Sequence, residues 1–142
     1  MDISIRSFTT GMLDTNSLVI EGTGAHALVV DPAHPCDELI ADIRSRSLSL
    51  DAVVLTHGHF DHIMGLDDVL TEAPGTPVYI HPADAPLLSD PHKNGSPLIQ
   101  TMYAFTGAVE MLDEGEQHIG PFSFSVLHVP GHTPGGCALL FG

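Results

Sequence analysis

Three histidines and one aspartate stand within six residues of one another near the middle of the chain. They are His57, His59, Asp61 and His62, in the order His-x-His-x-Asp-His. Imidazole nitrogen and carboxylate oxygen are the ligand atoms that bind zinc, and they also suit iron or manganese. A single histidine is usually structural or merely exposed, but this density of ligand types predicts a metal site.

A tripodal metal site that uses His57 and His59 needs a third imidazole from elsewhere in the chain. The best candidate is His132, because a predicted strand ends before it in a loop of prolines and glycines, residues 129–136, that exposes one histidine. Glycine lets the backbone approach a ligand closely. Other histidines compete for this position: His34 and His81, which also end apolar strands, and His128.

The elements around the histidine string place it at the end of a strand. The apolar run at residues 52–56 predicts a buried strand, and apolar periodicity predicts a helix over residues 63–72. His57 and His59 are two apart in extended chain, so their side chains leave it on the same side. The aspartate and the last histidine of the string fall where the chain turns into the helix. The group therefore lies outside the carboxyl end of a strand, where open α/β sheets bind ligands.

The other elements alternate between strand and helix in the first half of the chain and are strands alone near its end. This alternation is typical of an α/β layer. Residues 91–107 are either a lid over a substrate or an ordinary surface excursion with a few buried anchors. The further predicted elements are a helix at 35–47, one or two helical turns at 84–89, and strands at 3–9, 16–21, 26–31, 77–81, 116–119, 122–129 and 136–141.

Charge is the strongest signal in the composition. Eighteen acidic residues face four basic ones, which gives a formal net charge of −14. A nucleic-acid partner requires a basic stripe, so we expect none. An acidic surface attracts divalent cations, although solubility alone also explains it.

The sequence has no feature of a membrane or secreted protein. No apolar stretch approaches the roughly 20 residues that a membrane helix needs, and the N-terminus does not resemble a signal peptide. Cys36 and Cys137 fit no metal-binding or redox motif and are expected to be reduced, with Cys137 a small buried hydrophobe. We therefore expect a cytoplasmic protein that acts on a small-molecule substrate.

The arrangement of motifs resembles the metallo-β-lactamase superfamily, in its glyoxalase II-like (hydroxyacylglutathione hydrolase-like) branch. The histidine string after an apolar strand is that family's motif, and residues 130–135, Pro-Gly-His-Thr-Pro-Gly, match its second metal motif. Residues 30–32 and 79–81 resemble two weaker motifs. The resemblance implies an αββα sandwich within one domain, 1–142, with a first βα half at 1–106 and the start of a second at 107–142.

The resemblance also implies a ligand set. His57, His59 and His132 would hold a first metal ion, and Asp61 and His62 would help to hold a second, so the cofactor is one or two zinc ions, with iron or manganese possible. The family uses a later bridging aspartate and a late histidine, yet no acidic residue follows Glu116 here. We therefore expect a fragment of a protein of roughly 200 residues, or a minimal version completed by another chain.

A three-histidine zinc site leaves one position open for water and lowers the pKa of that water to about 7. The resulting hydroxide would attack a carbonyl, with Asp61 as the catalytic residue that orients the water and passes on its proton. The glyoxalase II-like motifs favour a thioester substrate over a lactone or β-lactam. Two alternatives remain: an oxidoreductase with a single iron, similar to persulfide dioxygenases, and a truncated metal-binding domain without activity.

Overall fold

The computed structural model describes residues 2–142, and within them nine strands form two sheets. Five α-helices and two 3₁₀ turns, Thr23–Ala25 and Ser96–Ile99, connect them. The helices are α1 Asp37–Ser45, α2 Phe60–Ile63, α3 Leu66–Glu72, α4 Ala85–Leu88 and α5 Pro91–Asn94. The strands are β1 Ser4–Thr10, β2 Thr15–Glu21, β3 His26–Val30, β4 Ser49–Val54, β5 Val78–Ile80, β6 Glu110–Met111, β7 Gly115–Ile119, β8 Phe122–His128 and β9 Cys137–Phe141.

The first sheet contains six strands in the order β1-β2-β3-β4-β5-β6. The first three strands pair antiparallel, whereas β3 with β4, β4 with β5 and β5 with β6 are parallel. Parallel neighbours require a crossover, and α1, α3 and the segment from α4 to residue 109 provide it. The predicted α/β class is thus confirmed, and the carboxyl ends of the parallel strands share one edge.

Both faces of the central strands of the first sheet are buried, and successive side chains of each strand point to opposite faces. Val29 and Val53 pack against the helices, with Leu39 and Leu66 at the centre of that core. Neighbouring residues such as Leu28 face the other way, toward the second sheet. Near-continuous apolar strands are what a sheet covered on both sides requires.

The second sheet consists of β7, β8 and β9 in antiparallel order. Phe122 and Phe124 point inward and join the core between the sheets. On its outer face, Leu127 and Leu140 are 49% and 61% exposed. The described residues therefore form helix, sheet and sheet layers, in agreement with the expectation of an incomplete αββα sandwich.

Two predicted helices differ from those of the structure. The single helix expected over residues 63–72 is two helices, α2 and α3, that meet at Gly65. The amide of Gly65 donates to the carbonyl of Pro32 at 2.9 Å, and a Cβ there would collide with the carbonyl oxygen of Ala33. This close approach interrupts the helix. The first helix begins at Asp37, two residues later than predicted.

The segment 91–107 is anchored to the body of the protein. Asn94 and Ser96 are buried and bond to the backbone of Tyr103, and the amide of Phe105 donates to the carbonyl of Leu88 at 2.7 Å. Met102 is exposed. The observed contacts match those of a surface excursion with buried anchors, and a lid function stays a prediction.

Both cysteines are buried and free, and burial raises the pKa of the Cys36 thiol to about 12 and that of Cys137 to about 11. Such thiols are unreactive near neutral pH. Across residues 2–142, none of the helices has the length and apolar character that a bilayer crossing demands.

Candidate metal centre

The histidine string begins where β4 ends. Thr56 fixes this point, because its amide donates to Asp31 at 2.8 Å and its carbonyl accepts from the amide of Cys137 at 2.8 Å. The chain then runs extended as far as His59 and turns into α2 at Phe60. The short strand and immediate helix place four potential ligands on one strand end, as the sequence predicted.

Three imidazoles converge at this edge of the first sheet. We call His57, His59 and His132 the three-histidine site, since one ring nitrogen of each lies within 4.8 Å of the others. Their ring centroids are 4.5 to 5.2 Å apart, and their ring planes are tilted by 70° to 81°. The Nδ1 of His59 and the Nε2 of His132 are 3.0 Å apart. Strongly tilted rings let in-plane lone pairs meet at one point.

Asp31 sets the protonation pattern of His57 and of the neighbouring His62. The Thr56 hydroxyl donates to Asp31 Oδ2, so its oxygen accepts from His57 Nδ1–H at 3.1 Å. The same carboxylate accepts from His62 Nδ1 at 3.0 Å. His57 then keeps an unprotonated Nε2, which is the form that binds metal, and the neutral form of His62 would do the same.

Burial also keeps two rings of the three-histidine site, those of His57 and His59, uncharged. Desolvation, reinforced by the neighbouring His62, lowers the pKa of His57 to about 4, and desolvation together with His132 lowers the pKa of His59. Desolvation alone would lower the pKa of His62 too, but its hydrogen bond to Asp31 and the charges of Asp31 and Asp61 outweigh this and raise it. His57 and His59 are therefore neutral and available as ligands near pH 7.

Asp61 stands beside the three-histidine site but is not part of it. Its Oδ2 accepts from the Thr15 hydroxyl at 3.4 Å and lies 3.5 Å from His62 Nε2. Within residues 2–142, Asp61 joins none of the groups of three or more potential ligands, whereas His62 groups with Asp31 and His57. The carboxylate of Asp31 is already committed to Thr56 and His62, so a second ion would depend mainly on Asp61 and His62.

Asp84 joins the two loops that carry the three histidines. Its side chain is fully buried and accepts from the amide of Gly58 at 2.9 Å and from that of Gly135 at 2.7 Å. A Cβ at Gly135 would lie 2.6 Å from the Asp84 amide nitrogen, so glycine is required there. Asp84 lies outside both loops and hydrogen-bonds to each of them, which helps to fix their separation.

The competing histidines lie elsewhere. His34 pairs with Asp68 at 2.7 Å. His81, Glu114 and His128 form a separate group that we call the stacked-histidine cluster. Its two rings are 4.3 Å apart and tilted by only 10°. Of the sequence candidates, the structure thus brings His132 to His57 and His59.

The donors of the three-histidine site fit a small metal ion. Three converging imidazoles match the ligand set of zinc and of iron, and two ligand nitrogens of a tetrahedral zinc are about 3.3 Å apart. His132 is exposed, so the site opens to solvent. These three residues would hold one ion and would leave one of its four positions for another ligand.

Sequence reasoning missed Asp84 and gave Asp31 only through a resemblance. Asp84 follows β5 and precedes α4, so it looks like an ordinary helix cap, yet it makes no capping bond to that helix. Its partners lie 26 and 51 residues away. Only the folded chain reveals this role.

A histidine-rich loop at a sheet edge, completed by a histidine from the loop between β8 and β9 of the facing sheet, is typical of a metal-binding domain of the α/β class. The chain belongs to the metallo-beta-lactamase superfamily, whose family model matches residues 10–142. The resemblance predicted from the two metal motifs is confirmed.

Two curated relatives illustrate the range of similarity. The probable metallo-hydrolase YqgX of Bacillus subtilis is 37% identical over 110 residues, which are 76% of this chain and 52% of that protein. A hydroxyacylglutathione hydrolase of Aeromonas hydrophila is 36% identical over 116 residues, 80% of this chain and 37% of that protein. The chain therefore spans about half of the first relative's length and just over a third of the second's.

Two solved structures share the fold and about a third of the sequence. BLEG-1 B3 metallo-beta-lactamase superposes with a TM-score of 0.90 at 32% identity, over 97% of this chain and 67% of that chain. TTHA1623 in a di-iron-bound form superposes with a TM-score of 0.78 at 33% identity, over 96% and 66%.

Proposed function

We propose that this protein is a metal-dependent hydrolase that cleaves a thioester or a related ester. The observation that carries the proposal is the convergence of three imidazoles, His57, His59 and His132, at the edge of the first sheet. The metallo-hydrolase family supplies the reaction class. The hydroxyacylglutathione hydrolase among the relatives supports a thioester in particular.

The side chains of the site have separate roles in the proposed reaction. His57, His59 and His132 hold the first ion, and Asp61 with His62 contributes to a second. A bound divalent ion supplies Lewis acidity and lowers the pKa of a water molecule. Asp61, held by Thr15, orients that water by hydrogen bonding and takes up its proton. Asp31 keeps His57 and His62 in the tautomers that this arrangement needs.

Zinc is the proposed metal, because three imidazoles with an open fourth position form a known catalytic zinc site. Iron is the alternative, supported by the di-iron-bound form of one structural neighbour. Metal analysis after expression in defined medium separates them. Iron together with oxygen consumption in the presence of a persulfide would favour the dioxygenase-like reaction instead.

The test is turnover of an activated thioester, followed by release of the free thiol. We expect activity that a chelator abolishes and that added zinc restores. His59→Ala should abolish both metal binding and turnover, whereas His118→Ala, an exposed histidine in β7, should change neither. Equal activity of the two variants would contradict the proposal. Absence of turnover in the metal-loaded protein would support a domain that binds metal without catalysis.

A β-lactam is the second candidate substrate. The observation that favours it is the similarity to BLEG-1, which is described as a B3 metallo-beta-lactamase and is 32% identical. A chromogenic cephalosporin assayed beside the thioester decides between the two. Faster turnover of the cephalosporin, measured as kcat/KM, would assign the lactam as the better substrate.

A further inference from the structure

The four basic residues of this chain are not equivalent. Arg6 pairs with Glu21 and Asp42, Arg44 pairs with Glu72, and Arg46 pairs with Asp42. Lys93, in α5, makes no ion pair with any residue in the described range 2–142. It is therefore the one basic side chain there whose charge is available to an incoming molecule.

Lys93 lines a groove that two ligands of the three-histidine site also line. His59 and His132 form part of this groove, which has a volume of about 350 Å³. The remaining wall includes the apolar side chains of Leu87 and Pro134. A molecule lying in the groove would thus contact the metal centre, an apolar surface and one ammonium group.

The strongly negative net charge of the protein makes the position of Lys93 important for the choice of ligand. A protein of net charge −14 repels anions over most of its surface. A carboxylate that enters the groove is met by Lys93, while a neutral ligand gains nothing from it. An exposed ion pair is worth little in absolute terms, but it changes affinity enough to rank substrates. The apolar wall suits the carbon skeleton between the carboxylate and the scissile bond.

We infer that Lys93 selects substrates that carry a carboxylate, so that the preferred substrate is an anionic thioester or ester. This inference rests on the proposed hydrolase function and deepens it by one property of the substrate. Lys93 acts on binding and takes no part in bond cleavage. The substrate lies along the groove with its carboxylate at Lys93 and its acyl carbon at the three-histidine site.

The test compares two thioesters of the same skeleton, one ending in a carboxylate and the other in its methyl amide. For the wild type, we expect a lower KM for the anionic thioester and a loss of this advantage as salt is added. Lys93→Gln should raise the KM of the anionic thioester by about 2- to 5-fold with little change in kcat. Lys93→Glu should raise it further. Neither variant should alter the KM of the neutral thioester.

Arg46→Gln is the matched control, because it removes the same charge from an exposed residue at the C-terminal cap of α1. Equal KM changes for both thioesters, or the same change in Arg46→Gln, would overturn the role of Lys93 while leaving the hydrolase function intact. Wild-type turnover of the neutral thioester with no advantage for the anionic one has the same meaning. Failure of the wild type on both thioesters would instead count against the proposed function.

Discussion

The protein contains two groups of clustered histidines that differ in ring orientation. In the three-histidine site the ring planes are tilted by 70° to 81°, whereas the rings of His81 and His128 are nearly parallel at 10°. A metal ion binds in the plane of an imidazole, and no point lies in two separate parallel planes. The angle between the rings, rather than the number of histidines, therefore distinguishes a metal site from a packed pair of rings.

The ring nitrogens of the two groups have different partners. In the stacked-histidine cluster, His128 Nε2 donates to the carbonyl of Pro134 at 2.8 Å and its Nδ1 lies 3.1 Å from Glu114. The amide of Ala83 donates to His81 Nδ1 at 3.1 Å. Neighbouring groups thus occupy these nitrogens, whereas in the three-histidine site the network of Asp31 leaves His57 Nε2 free. We therefore interpret the stacked cluster as a structural contact between β5, β8 and the segment before β7.

The largest effect should come from the same substitution made in each group. His59→Ala removes a ligand, so metal affinity should fall by more than the 10- to 100-fold that is typical of a lost outer partner. His128→Ala removes a packing contact and should leave metal affinity within about 2-fold. Competition with a coloured chelator measures both. A similar loss in the two variants would show that the stacked cluster also binds metal.

The next largest effect should be on turnover rather than on metal binding. Asp61→Asn keeps the shape of the side chain but cannot take up a proton, so kcat should fall by about 10²- to 10⁴-fold. The affinity of the first ion should change little, because Asp61 is not in the three-histidine site. Asp113→Asn, an exposed aspartate near the second sheet, is the control. Loss of the first ion in Asp61→Asn would place this carboxylate among its ligands.

A smaller effect should follow from loosening the two loops. Asp84→Asn keeps one acceptor but places an amide N–H₂ against the amide of Gly58 or Gly135. Metal affinity should fall by about 10- to 100-fold, as for other partners that orient ligands. The visible spectrum of the cobalt-substituted protein should change as well, which a general loss of stability would not cause.

Asp90→Asn is the matched control for this prediction, because it changes the same charge six residues later, at the cap of α5. Unaltered cobalt spectra in both variants would contradict the positioning role of Asp84. If Asp84→Asn does not fold, hydrogen exchange of the wild type decides. Both glycine amides should be protected, and rapid exchange of either would contradict the role.

Much of the metal centre could be predicted because it is local in sequence. The strand end and the following loop, residues 52–62, are contiguous, and the loop around His132 is marked by its prolines and glycines. The sequence already favoured His132 over His81 and His128, because its loop is bounded by prolines and glycines, and the fold brings His132 to His57 and His59. The roles of Asp84 and Glu114 depend on partners far along the chain, which local patterns do not contain.

The same limit explains the errors in secondary structure. The break at Gly65 arises from contact with Pro32 and Ala33, more than 30 residues earlier, while the apolar periodicity continues through it. Strand β6 has only two residues, both exposed, and exists because it pairs with β5. This strand lies after residue 107 but belongs to the first sheet. The predicted division into a first half at 1–106 and a second half at 107–142 therefore stays a prediction.

The smallest effect should be on the free energy of unfolding. It tests whether burial distinguishes the three-histidine site from the stacked-histidine cluster. The pKa of His57 is lowered from 6.5 to about 4, so between these values the unfolded chain binds a proton that the folded chain does not. The free energy of unfolding of the metal-free protein should therefore fall as the pH falls through this window. The slope is at most ~1.4 kcal/mol per pH unit for one proton. The lowered pKa of His59 acts in the same direction.

His62 acts in the opposite direction, because its pKa is raised in the folded state. Its contribution is present below its ordinary pKa and is lost as the pH rises through the folded value. Urea unfolding with chelator between about pH 5 and pH 7 should therefore show a shallower slope in His57→Gln than in the wild type, and a steeper one in His62→Gln. Thr106→Gln, an exposed residue that does not titrate, gives the background. A His57→Gln slope equal to that of the wild type would mean that His57 is as accessible to protons as in the unfolded chain, which would remove burial as a difference between the two histidine groups.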